Sequence, residues 1–174
     1  MIRVLYFLPL LAFACLMAAL YGAVHNQITY TVAPSYYLEF IFVQFAVDPD
    51  MQNRLGAALI GVLASWWAGL VIGLPLFLVG LLVRDVGVFW RSYVKAMSII
   101  VLVALFGGLC ALGYTYLVFD ADTPPSWMEG QDLSDPVAFA RADYMHQFSG
   151  LSGLIAIGAG FGYMIAKGII SRQR

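Results

Sequence analysis

HNQITYTVAPSYYLEFIFVQF, residues 25–45, is the stretch whose reading decides the fold. It follows an uncharged run, Val4 to Val24, and changes character at once: a polar HNQ step, an alternating segment, a proline, then an aromatic-rich stretch. If the run before it crosses a membrane, this stretch lies at one membrane face and the remaining chain holds it there.

Composition supports that premise. The chain of 174 residues is 62% hydrophobic and only 11% charged, against roughly 25% charged in soluble domains, and its mean hydropathy is +0.86. Four runs are long enough to span a hydrocarbon layer of about 30 Å, which takes about 20 apolar residues as helix: Val4–Val24, Ala57–Val83, Ala96–Phe119 and Phe148–Ile170. Barrel strands would show shorter segments of alternating polarity. Backbone groups in lipid must be satisfied internally, so runs of this length are expected to be helices. The predicted fold is an all-α, single-domain bundle of four membrane helices over residues 1–174, with outer loops 25–56 and 120–147 and an inner loop 84–95.

Orientation follows from the basic residues, which stay cytoplasmic in short loops. Arg3, Arg84, Arg91, Lys95, Lys167, Arg172 and Arg174 fall on one side, against Arg54 and Arg141 on the other. Both termini are therefore expected in the cytoplasm. The acids sort oppositely: Glu39, Asp48, Asp50, Asp120, Asp122, Glu129, Asp132, Asp135 and Asp143 fall in the outer loops, and only Asp85 inside. A negative outer face disfavours nucleic acid as a partner. Arg3 gives a weak resemblance to a secretory signal, but the uncharged run exceeds the usual roughly 7–15 residues and has no A-x-A site, so the first span is expected to be retained.

Within residues 25–45, Gln27 to Val32 alternates β-branched and aromatic residues with polar ones, the strand signature. Ala33-Pro34 ends that segment. Pro34 to Phe45 reads either as a second strand or as an interfacial helix anchored by Tyr36, Tyr37, Phe40, Phe42 and Phe45. The two outer loops are expected to pack as a small cap containing a short strand pair. Asp135-Pro136 reads as a helix start, with Pro124-Pro125 breaking the loop before it.

Helix packing is written in small residues, which let backbones approach closely. Ala57, Gly61, Ser65, Gly69 and Gly73 recur every four residues in the second span, Ala14, Ala18 and Gly22 in the first, and Gly158 and Gly162 form a GxxxG pair in the fourth. Trp66 and Trp67 stand deep in the second span, as bundle packing or as the wall of a lipid or quinone site. Pro9 and Pro75 are expected to bend their helices.

The only two histidines, His25 and His146, fall at the outer boundary. Asp143, His146 and Ser149 share a helix face by three-residue spacing. Asn26, Gln27, Glu39, Gln44, Arg54, Arg141, Gln147 and Ser149 make up an outer polar cluster. The plain reading is a hydrogen-bond network tying the first loop to the fourth helix. Sharper readings are a metal site of His25, His146 and Asp143, since imidazole and carboxylate suit zinc, copper or iron, or a haem between the two histidines. No P-loop, HExxH, G-x-S-x-G or CxxC occurs, and Cys15 and Cys110 lie inside spans.

The HNQITY step, APSYY, Arg54, the SWW-x-G stretch and YMHQFSGLSG together resemble uncharacterised four-helix integral membrane proteins of bacteria. That resemblance implies a bacterial inner-membrane location, makes the face around His25 and His146 the distinctive surface, and carries over no catalytic residue. The leading functional expectation is a non-enzymatic accessory or scaffold subunit whose cap binds a protein partner, or a second copy of itself, within membrane lipid. The alternatives are metal or haem binding through His25 and His146, and lipid or quinone binding near Trp66 and Trp67.

Overall fold

The computed structural model describes residues 2–120, 125–128 and 130–173. Asp122, Pro124, Glu129 and Arg174, read above as outer acids, a loop breaker and an inner base, lie outside the described residues, as does the side chain of Arg172.

A 3-10 turn, Ile2–Tyr6, leads into α1 (Phe7–Val32). α2 spans 34–44, made of an α turn at Pro34–Tyr36, a π turn at Tyr37–Ile41 and an α turn at Phe42–Gln44. α3 is Arg54–Gly80, α4 is Val86–Val118 and α5 is Pro136–Gln173. Four of these helices are long and apolar enough to cross a membrane. No strand occurs among the described residues.

The expected strand at residues 27–32 is therefore corrected: these residues complete α1. The threonines that signalled a strand bond back along the helix, Thr29 Oγ1 to the His25 carbonyl at 3.1 Å and Thr31 Oγ1 to the Gln27 carbonyl at 2.8 Å. The stripe of Ala14, Ala18 and Gly22 runs on through Asn26 and Thr29, so burial against α3 outweighs local strand preference. Ala33 breaks the helix, with φ −144° and ψ 83°, because the residue before a proline is pushed out of the helical region. Pro34 then opens α2 in the first-turn position, so the second strand read for residues 34–45 is a helix.

Asn, Asp and Arg side chains close the helix ends. Asn53 Oδ1 accepts from the Leu55 and Gly56 amides at 2.9 and 3.2 Å, Asp85 Oδ1 from Val88 at 2.7 Å, and Asp135 Oδ1 from Ala138 at 2.9 Å. Arg3 donates to the Leu81 and Val83 carbonyls, both at 2.7 Å, which places a cation at the C-terminal end of α3. Pro9 sits in the first turn of α1, where its missing amide has no helical partner to lose. α2 ends on Ala46 in the left-handed region, φ 48°, with the Val47 amide donating to the Phe42 carbonyl.

The four long helices form two hairpin-like pairs, α1 on α3 and α4 on α5, with thinner contact between the pairs. In the first pair Gly22 meets Gly61 so closely that a methyl on either would collide with the other's carbonyl oxygen. Gly69 lies equally close to the Cys15 backbone, and Tyr93 donates to the Gly73 carbonyl at 3.1 Å. One apolar core, including Leu76, Phe77, Phe89, Tyr93 and Met164, fills the end that holds the α3–α4 turn. A second, built on Tyr36, Tyr37, Phe42, Ile60 and Ala142, fills the end where α2 lies across the bundle.

Candidate functional site

His25, expected at the start of the first outer loop, is inside α1, one turn before Thr29, and is only 3% exposed. His146 faces it from α5. The two imidazoles meet edge to face, their centroids 4.4 Å apart. Tyr36 stacks on His146 at 5.2 Å, and Tyr21 flanks His25 at 5.5 Å. The consecutive helices α1 and α2 and the distant α5 thus bring four rings into one cluster.

Tyr36 ends the α turn that Pro34 opens, and a π turn, Tyr37–Ile41, follows it. A π turn widens the helix by a residue, and such turns recur at functional sites. Here Tyr36 and Tyr37 are both buried, while Leu38 and Phe40 are exposed. The Tyr37 hydroxyl lies 2.6 Å from Thr29 Oγ1 and donates to the Asn26 carbonyl at 3.2 Å. Asn26 Nδ2 donates in turn to the Ala57 carbonyl on α3 at 2.9 Å. Burial holds both phenols above their ordinary value of 10.0; the Asp143 carboxylate adds to the effect on Tyr36, and the Thr29 hydrogen bond opposes it on Tyr37.

Beside the rings lies a chamber of about 330 Å³ walled by His25, His146, Tyr21, Asn26, Gln44 and Phe45, with Gly61, Ala64 and Gly150 among its smaller lining residues. A second cavity of about 240 Å³ continues from it between the two helix pairs, and Tyr21, Ala64, Ser65 and Gly150 line both. Ala64 on α3 and Gly150 on α5 are themselves exposed, so the space opens sideways between these helices. The deeper walls are Met97, Ile100, Leu154 and Ile157. Neither cavity is lined by an Asp, Glu, Lys or Arg.

Three buried polar atoms near these cavities have no hydrogen-bond partner: His25 Nε2, His146 Nε2 and Ser149 Oγ. Ser149 is 1% exposed. Leaving a buried donor or acceptor unpaired costs about 1–3 kcal/mol, and native structures tolerate few of them. A neutral imidazole has one donor and one acceptor nitrogen, so each unpartnered Nε2 offers one or the other according to its tautomer.

The remaining residues singled out from sequence divide into separate contacts. Gln27 Nε2 donates to the Arg54 carbonyl at 2.8 Å, and Arg54 donates to Thr31 Oγ1 at 2.9 Å and lies over the Tyr30 ring. Glu39 accepts from the Ser134 amide and hydroxyl, tying α2 to the start of α5. Arg141 lies over the Tyr116 ring, 4.2 Å from its centre. Gln147 donates to Asp143 at 2.5 Å. Trp66 and Trp67 are 44% and 52% exposed and line neither cavity, so the apolar site is next to them on α3, at Ala64, Ser65 and Ala68. Gly158 and Gly162 have open space beside them and touch no other helix; α5 instead packs through Ala156, Gly160 and Met164.

Among the described residues no three His, Cys, Asp or Glu side chains stand close enough to share a metal ion. The structure therefore joins His25 to His146 without assembling the set with Asp143. A haem iron held at about 2 Å from each nitrogen needs the imidazoles on opposite faces of a flat macrocycle. The edge-to-face contact at 4.4 Å leaves no slot for one. What the sequence did not reveal is the part played by Tyr21, Tyr36 and Gly150. The four-residue stripe of α1, extended past Gly22, is the signal that would have kept His25 on a helix.

The chain matches no known family model, no curated protein and no solved structure.

Proposed function

We propose that this is a multi-pass membrane protein that takes a membrane-dissolved amphiphile from the side, seating its head at His25 and His146 and its tail in the apolar cavity between the helix pairs. One observation carries the reading: His25 Nε2, His146 Nε2 and Ser149 Oγ are buried and unpartnered on residues that line two adjoining cavities, both uncharged and the deeper one almost wholly apolar. The larger chamber lies within the roughly 300–1,000 Å³ typical of small-molecule sites, which pair apolar walls with a few placed polar groups. The sideways opening at Ala64 and Gly150 suits a ligand that arrives through lipid. The sorting of basic residues supports cytoplasmic termini, with the histidine end on the far side of a bacterial inner membrane.

Gly150 offers a clean test, because a side chain there meets no atom within 4 Å, and the same holds for Gly158, which lines neither cavity. A long-chain alkyl diazirine, photolysed with the protein in nanodiscs, is expected to label the residues around Ala64 and Ser65. Gly150→Leu should abolish that labelling and Gly158→Leu should leave it intact. Equal labelling in the two variants would contradict the reading.

A scaffold role remains a second reading, favoured by the exposed row Leu38, Phe40 and Val43 on α2. It differs in that substitutions on this row, not in the chamber, would release a cross-linked partner.

A further inference from the structure

The chamber is more specific than an apolar slot needs to be. An anionic lipid head or a fatty-acid carboxylate calls for a cation, and none lines either cavity. The basic groups nearest the histidine end are engaged elsewhere, Arg54 with Thr31 and Tyr30 and Arg141 with Tyr116. The head that fits is neutral.

Its hydrogen-bonding character follows from the unpartnered atoms. His25 presents an unpartnered Nε2, a donor or an acceptor according to the tautomer. Ser149 presents a hydroxyl that both donates and accepts, and His146 Nε2 adds a third site. The chamber walls on α1, α3 and α5 carry glycine at Gly22, Gly61 and Gly150, and aromatic rings at Tyr21 and Phe45 border it. A flat ring carrying oxygen on opposite edges, each edge able to donate or accept, satisfies these atoms, and an attached chain follows the second cavity towards Ile100 and Ile157.

Resting on the amphiphile reading above, we propose that the ligand is a quinone or quinol, with its ring in the chamber beside His25 and His146, its oxygens hydrogen-bonded to the imidazoles and to Ser149, and its chain in the inter-hairpin cavity. A diacylglycerol or sterol, also neutral, brings a single free hydroxyl and a bulkier body to the same atoms.

The test is competition in nanodiscs, with the full-length protein and the alkyl diazirine as reporter. Decylbenzoquinone and its quinol are expected to suppress labelling at Ala64 in a saturable manner, and Ser149→Ala and His146→Phe should each weaken that suppression by about tenfold, the effect of one hydrogen bond to the ligand. Ser149→Ala removes one hydroxyl, approached only by Tyr21, and keeps the test independent of folding defects at the two histidines. Suppression by dioleoylglycerol but not by decylbenzoquinone would overturn the quinone assignment while leaving the amphiphile reading standing. Suppression by decylbenzoquinone that is unchanged in both variants would overturn the assigned contacts. Absence of any cavity labelling in the wild type would remove the amphiphile reading itself.

Discussion

The Tyr37 hydroxyl meets two helical turns of α1 at once, through Thr29 Oγ1 and the Asn26 carbonyl, and is fully buried. Removing it with Tyr37→Phe leaves Thr29 with only helix carbonyls, and is expected to cost about 1–2 kcal/mol, read from denaturant unfolding in detergent. Tyr36 and Tyr37 also set an alkaline limit. Their phenols lie above 10.0 in the folded chain, so the stability they contribute is full below that value and is lost as pH climbs towards the folded values. The unfolding free energy should therefore fall above about pH 10, and fall less steeply in Tyr37→Phe; a pH-independent unfolding free energy in the wild type would contradict this. At this scale the sequence showed the anchors but not their direction. Tyr36, Tyr37 and Phe40 read alike as interfacial aromatics, and only the packing of α2 across the bundle separates the two buried rings from the exposed one.

The contact of α1 with α3 depends on the absence of side chains where Gly22 and Gly61 cross. Gly61→Leu must push the two helices apart, and is expected to destabilise by more than the roughly 1–3 kcal/mol of ordinary overpacking. Gly162→Leu, facing open space on α5, should change thermal stability little. Equal losses in the two variants would show that the packing face has been misassigned. Small-residue stripes were legible in both α3 and α5, yet a stripe names no partner. The same spacing marks Gly61, which meets another helix, and Gly158, which meets none. The strand reading of residues 27–32 failed for a related reason: β-branched residues at a helix end look like a strand until the stripe of small residues is followed through them.

Across the whole molecule, the number and place of the long helices could be read from composition, because lipid leaves the backbone no alternative to helix. The cavity could not. It arises from the thin contact between two tightly packed pairs, α1 with α3 and α4 with α5, and no local pattern records that difference. Its polar end depends on α1, α2 and α5 meeting at one end of the bundle, which in turn requires that residues 45–53 and 130–135 lie on one side of the membrane. The most direct measurement is labelling of single cysteines in intact cells by a membrane-impermeant maleimide, with Cys15 and Cys110 replaced by alanine. Asp50→Cys and Asp132→Cys are expected to react from outside, and Arg84→Cys only after the membrane is opened. If Asp50→Cys and Asp132→Cys are labelled from opposite sides, the two histidines cannot share a chamber and the account fails.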